Sequence, residues 1–161
     1  MALTTGSAIP KLEVTTKTSE GLDVIDTQAY FAGRKIIVFS VPGAFTATCS
    51  EKHLPGYVKH YDNFKSAGID AIACLAVNDA HVMLAWAEQK QADGLIDLLA
   101  DSRAVFSDEL GLTTDMGPVL GNRASRSALI IEDGVITHFF KEAPKAFEVS
   151  DAESLLAIVS G

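Results

Sequence analysis

Cysteine is scarce in this chain, with two in 161 residues, Cys49 and Cys74, 25 positions apart (74 minus 49). That is too few for a disulfide-stapled secreted scaffold and far from the C-x-x-C spacing of zinc or dithiol sites, so a reducing cytoplasm is the expected setting. Long apolar runs are also missing. No stretch approaches the roughly 20 residues that cross a bilayer, and the opening MALTTGSAIP carries no basic segment followed by an apolar one, so neither a membrane span nor export is expected. Positive charge is the minority: thirteen Lys and Arg face twenty-one Asp and Glu, a net charge of −8. General affinity for nucleic acid or an anionic membrane surface is therefore not expected, and a solvated acidic surface suffices. The four histidines, His53, His60, His81 and His138, show no ligand spacing with cysteines or acidic residues, so no metal is expected.

What is present suits a core. An apolar fraction of 48% and mean hydropathy of +0.21, at 17.1 kDa, predict one compact domain over residues 1–161. Leu12 to Thr16 and Leu22 to Ile25 flank a polar turn and predict a hairpin covering an edge or end of the main sheet. Asp26 to Phe31 predicts a helical turn. The runs KIIVFSV (35–41), Ile69 to Val77 and LIDLLAD (95–101) predict buried strands. Asp79 caps a predicted helix over Ala80 to Gln91, in which Trp86 is a core anchor or part of a subunit contact. Asp108 to Leu112 predicts a short helix closed by Gly111, and Thr113 to Arg126 a surface loop. SALIIE and VITHFF around Asp133 and Gly134 predict an antiparallel hairpin, and Asp151 opens a last helix. This order describes an α/β fold with a mixed sheet between helices.

One stretch carries chemistry. Pro42 and Gly43 end the run KIIVFSV; behind Cys49, the positions Leu54, Tyr57, Val58, Tyr61 and Phe64 recur at steps of three and four. One helix is predicted from about Ala47 to about Lys65, bent or broken near Pro55. Cys49 thus falls in or next to the first helical turn, where unpaired amides favour a thiolate, the reactive form of the side chain. Thr46 and Thr48 carry hydroxyls able to cap the helix or bond a reacting oxygen. The bland alternative is a small buried hydrophobe, and that is the expected role of Cys74, set among small apolar residues inside a strand.

Pro42, Thr46 and Cys49 spell Pro-x-x-x-Thr-x-x-Cys, and the longer string PGAFTATCS…HLPGY resembles the peroxiredoxins, in particular the peroxiredoxin-five-like group that includes the plant type II enzymes. The resemblance extends to CLAVND (74–79), Trp86, RASRSALIIEDG (123–134) and FEVSDAESLL (147–156), and departs at Ala47, where such proteins more often have proline. It implies a thioredoxin-like three-layer fold, a mixed central sheet with helices on both faces. It also implies an antioxidant thiol peroxidase that reduces hydrogen peroxide and alkyl hydroperoxides through a sulfenic acid at Cys49, without a cofactor. In that reading Arg126 is the active-site arginine, Pro42 shields the sulfur and Thr46 bonds the peroxide. Spacing alone cannot choose between Arg123 and Arg126. The resemblance further implies a homodimer that uses loops near Phe45, Asp79 and Trp86.

Sulfenic acid returns to thiol through another thiol. Residues 141–161 hold no cysteine, and Cys74, the only internal candidate for a secondary thiol, sits mid-strand and would need substantial movement to reach Cys49. An external reductant is expected: glutathione, glutaredoxin or thioredoxin. Two other classes compete. A thioredoxin-like redox-sensor or binding module would oxidise at Cys49 without turnover. A cysteine hydrolase would pair Cys49 with His53, four positions on and on the same helical face, although a base one turn along points parallel to the thiol; a structural or electrostatic role suits His53 better.

Overall fold

The computed structural model describes residues 2–161. Its centre is β3 (Lys35–Ser40), whose side chains from Ile36 to Ser40 are all buried. The strand is rich in β-branched and aromatic residues, and alternate positions feed opposite faces. Ile37 and Phe39 join one core with Cys49, Leu54, Tyr57, Met83, Trp86 and Leu155. Ile36 and Val38 join the other with Phe31, Leu99, Phe106 and Leu129. A strand apolar on both faces needs cover on both, which yields three layers.

Around β3 the sheet is mixed. β4 (Ala71–Ala76) and β5 (Asp97–Ala100) run parallel to it, and β8 (Ser127–Glu132) and β9 (Val135–Lys141) form an antiparallel hairpin on its other side. The amino-terminal hairpin, β1 (Glu13–Thr18) and β2 (Gly21–Asp26), extends the far edge through the single pairing of Thr15 with Ala100, for an order β2-β1-β5-β4-β3-β8-β9. The predicted hairpins, the three buried strands and the helix capped by Asp79 are all present. That helix is α4 (Ala80–Gln89), with the Asp79 carboxylate accepting from the Val82 N–H. Asp26 caps α1 (Thr27–Phe31), and Asp151 caps the last helix, α7 (Ala152–Ser160). The architecture is thioredoxin-like, a mixed central sheet with helices on both faces. Among the described residues, no helix is long and apolar enough to cross a membrane.

Three local expectations are corrected. The helix after the cysteine is irregular beside Pro55, but it runs through the proline and breaks later. It opens at 47–48, widens into a π turn over Cys49–His53, continues as α2 (Leu54–Lys59) and breaks at His60 before α3 (Tyr61–Ser66). Proline has no N–H to give the carbonyl four residues back, and the chain meets this by widening: the Leu54 N–H bonds the Cys49 carbonyl, and Pro55 enters the α-helical part in its first turn. The short helix after β5 lies earlier than predicted, at α5 (Val105–Glu109), because the buried Asp101 carboxylate accepts from the Phe106 and Ser107 N–H groups and starts it there. The stretch from Thr113 to Arg126 is not an irregular loop. It folds into a small hairpin, β6 (Thr113–Asp115) and β7 (Asn122–Ala124), around α6 (Gly117–Leu120).

Candidate active site

The site forms where β3 and β8 release the chain. Ser40, the last residue of β3, donates its hydroxyl to the Ser125 carbonyl (2.6 Å) and lies 2.6 Å from the Ser127 hydroxyl. Since the Ser40 proton is committed to the carbonyl, Ser127 is the donor of that pair. Arg126 is thereby pinned on both sides against the strand that leads to Cys49. Pro42 and Gly43 turn the chain away from β3, and a set of hydrogen bonds holds the turn. The Ala44 N–H donates to Asn78 Oδ1 (2.9 Å), Thr46 Oγ1 donates to the Gly43 carbonyl (2.7 Å), and the Ser50 N–H donates to the Thr46 carbonyl (2.9 Å). Beneath the helix, Trp86 is fully buried and its indole N–H donates to Ser50 Oγ (2.8 Å). Trp86 is therefore a core anchor, and it does not present its ring to a partner.

Cys49 itself has no exposed surface. Yet its surroundings are not wholly apolar: Arg126 Nη2–H donates to Sγ at 3.2 Å. The other prong of the guanidinium, Nη1–H, donates to His53 Nδ1 at 2.9 Å. A guanidinium can only donate, so Nδ1 is an acceptor and the proton of the imidazole sits on Nε2, which donates to the Ser150 carbonyl at 3.0 Å. His53 is neutral for two reasons: burial, then the charge of Arg126, push its pKa down to about 3. Tyr57 gives the same Ser150 carbonyl a second bond (2.7 Å). The Phe147 ring lies 5.7 Å from the guanidinium carbon and meets His53 edge-on at 4.9 Å.

The structure thus brings Cys49, Arg126 and His53 into one hydrogen-bonded chain and separates the two arginines. Arg123 donates to the Leu120 carbonyl (2.8 Å) and the Pro42 carbonyl (3.4 Å), binding the small hairpin to the loop before the cysteine. Thr46 spends its proton on Gly43, which leaves its lone pairs to accept from another O–H; Thr48 makes no capping bond. His53 cannot serve as a base toward sulfur, because its one lone pair is taken by Arg126. The hydrolase pairing falls on that geometry. Cys74 lies in the same core as Cys49, opposite Phe39 in the strand register, fully buried. Burial, and next the nearby Cys49, push its thiol well above the ordinary value. Sequence reading missed Ser150 and Phe147, whose contacts depend on a loop about 100 positions downstream. No cluster of His, Cys, Asp or Glu among the described residues could hold a metal ion.

A family model described as Redoxin matches residues 4–156. The reduced Prx3 of Vibrio vulnificus in complex with H2O2 is 45% identical and superposes with a TM-score of 0.94 over 98% of this chain and 99% of that one. The chain is a peroxiredoxin. Among solved structures, peroxiredoxin 5 of Alvinella pompejana is 34% identical with a TM-score of 0.85, covering 98% of this peroxiredoxin and 97% of its own chain. Among curated relatives, the chloroplastic Peroxiredoxin-2E of Arabidopsis thaliana is 45% identical over 128 residues, 78% of this chain. The match spans 55% of that relative's own length. Type II and five-like members thus stand together as its relatives, and thiol-dependent peroxide reduction is the activity of the family.

Proposed function

We propose that Cys49 is the peroxide-reactive thiol, with Arg126, Thr46 and Pro42 completing its site, and that the enzyme reduces hydrogen peroxide and alkyl hydroperoxides in a one-cysteine cycle. The observation that carries this is the 3.2 Å bond from a permanent cation to a sulfur withdrawn from water. The sulfur attacks the near oxygen of the peroxide in line, the O–O bond breaks, and the far oxygen leaves with the electron pair, taking a proton to become water or alcohol. Cys49 is left as sulfenic acid. A guanidinium N–H beside the sulfur also reaches the charge that grows on the oxygens. The Thr46 hydroxyl, its proton committed, offers lone pairs to the O–H of the peroxide. Pro42 presents no N–H there and closes the turn over the site.

The sulfenic acid is regenerated from outside. An external thiol attacks the sulfur of Cys49 and releases water, and a second thiol then attacks the mixed disulfide and frees Cys49. Glutathione, glutaredoxin or thioredoxin supplies those electrons. Cys74 does not, since a thiol so deeply buried carries little thiolate at neutral pH. Because Cys49 has no exposed surface, its π turn opens for that exchange. A homodimer formed through the loops that carry Phe45, 52% exposed and at φ 65°, and Asp79 completes the reading, in a reducing cytoplasm.

Stopped-flow mixing of the reduced protein with H2O2, followed by the fluorescence of Trp86, tests the proposal. Wild type and Cys74→Ser react rapidly and turn over with an external thiol, while Cys49→Ser does neither. Oxidation without turnover under any of the three reductants would instead indicate a sensor.

A further inference from the structure

We infer that Glu142, which touches no reacting atom, is a positioning residue for Arg126: its carboxylate holds the loop that holds His53. Glu142 follows the last residue of β9 and is 8% exposed. Its carboxylate accepts from three consecutive backbone N–H groups, those of Glu148 (3.0 and 2.9 Å, one to each oxygen), Val149 (2.9 Å) and Ser150 (2.8 Å). The Ser150 hydroxyl adds a further bond (2.7 Å). The ion pairs among the described residues are Lys11 with Asp26 and His60 with Glu153, so this charge is met by dipoles and not by a cation. Burial acts to raise its pKa, but the Ser150 hydroxyl and the three N–H groups outweigh it and hold the carboxyl below its ordinary value.

Little else restrains that loop. Residues 143–149 are exposed or half-buried, Lys145 is at φ 64°, and one internal backbone bond, from Ala146 to Ala143, spans them. Yet two of the grips on Arg126 start at Glu142. The Glu142 N–H donates to the Arg126 carbonyl (3.0 Å), fixing the backbone. The carboxylate fixes Ser150, whose carbonyl takes the His53 Nε2 proton, which leaves Nδ1 facing the guanidinium. Phe147, on the same loop, lies over that guanidinium. Release of the carboxylate frees Ser150 and Phe147 together, and Arg126 loses the acceptor that aims its second prong at sulfur.

The role rests on the peroxidase reading for its assay, and a double-mutant cycle tests it. Glu142→Ala should lower the second-order rate constant with H2O2 about 10²-fold, the scale of a misplaced catalytic group. Glu142→Gln keeps one acceptor oxygen but turns an amide N–H2 toward the Glu148 N–H, so it should fall between. In an Arg126→Ala background either substitution should cost nothing further, because the residue it positions is gone. Equal losses in both backgrounds would mean a merely structural role and would overturn the inference, as would wild-type rates in Glu142→Ala or, if that variant does not fold, in Glu142→Gln. Wild type inert to peroxide would instead sink the peroxidase reading.

Discussion

A guanidinium with two aimed prongs differs from a positive charge nearby. Arg126 spans His53 Nδ1 and Cys49 Sγ at 2.9 and 3.2 Å, and an ammonium on a flexible stem cannot hold both at once. Arg126→Lys should therefore lower the peroxide rate constant by roughly 10² to 10³, the cost of losing one preorganised donor, measured by stopped flow at constant ionic strength. At Cys74 the expectation is opposite in kind. Serine there places a hydroxyl in a fully buried apolar setting, costing about 1–3 kcal/mol of stability in a denaturant titration, while steady-state turnover with external thiol stays at the wild-type level.

The element that carries the cysteine is short, irregular and fastened from three sides: Asn78 on the loop before α4, Ser50 by Trp86, and the Pro42 carbonyl by Arg123. Gly43 is where this fastening is tightest. A methyl there would stand 2.8 Å from Arg123 Nη1 and 3.4 Å from Thr46 Cγ2, so Arg123 would have to leave the Pro42 carbonyl. Gly43→Ala should cost about 1 kcal/mol in thermal unfolding and also slow the reaction with peroxide. An unchanged rate would mean that the turn holds its shape without Arg123. The π turn beside it follows from Pro55. Its wider ring places Cys49 and His53, four apart in sequence, both within reach of one guanidinium.

Across the whole molecule, burial of a neutral histidine against a cation makes folding sensitive to acid. His53 titrates near 6.5 when unfolded and at about 3 when folded. The unfolded state therefore binds the proton first, and the stability present above pH 6.5 falls by up to about 1.4 kcal/mol per pH unit down to pH 3. Glu142 acts in a lower window. Its folded pKa is below the ordinary 4.5, so its contribution is complete above that value and is lost as pH falls through the folded one. Denaturant midpoints measured from pH 8 to pH 4 should decline below pH 6.5 in wild type, and His53→Gln should flatten the decline between pH 6.5 and 4.5.

Much of this was legible in order along the chain. The apolar run KIIVFSV, the helix starts at Asp79 and Asp151, the Asp133-Gly134 turn and the strand, turn and helix start at Cys49 are local signals, and local steric and hydrogen-bonding rules read them correctly. The motif with Pro42, Thr46 and Cys49 needed only one continuous stretch. The partners of the sulfur were another matter. The choice of Arg126 over Arg123, the tautomer of His53 and the hold of Glu142 on Ser150 depend on how β8, β9 and the loop after it pack against β3, across separations from 8 to 97 residues. Asp101 is a local signal that periodicity alone passes over: its buried carboxylate accepts from the N–H groups of Phe106 and Ser107 just downstream, and the helix starts at Val105 where the spacing placed it at Asp108. Periodicity records which face of an element avoids water, whereas hydrogen-bond direction between distant side chains exists only once the layers have closed.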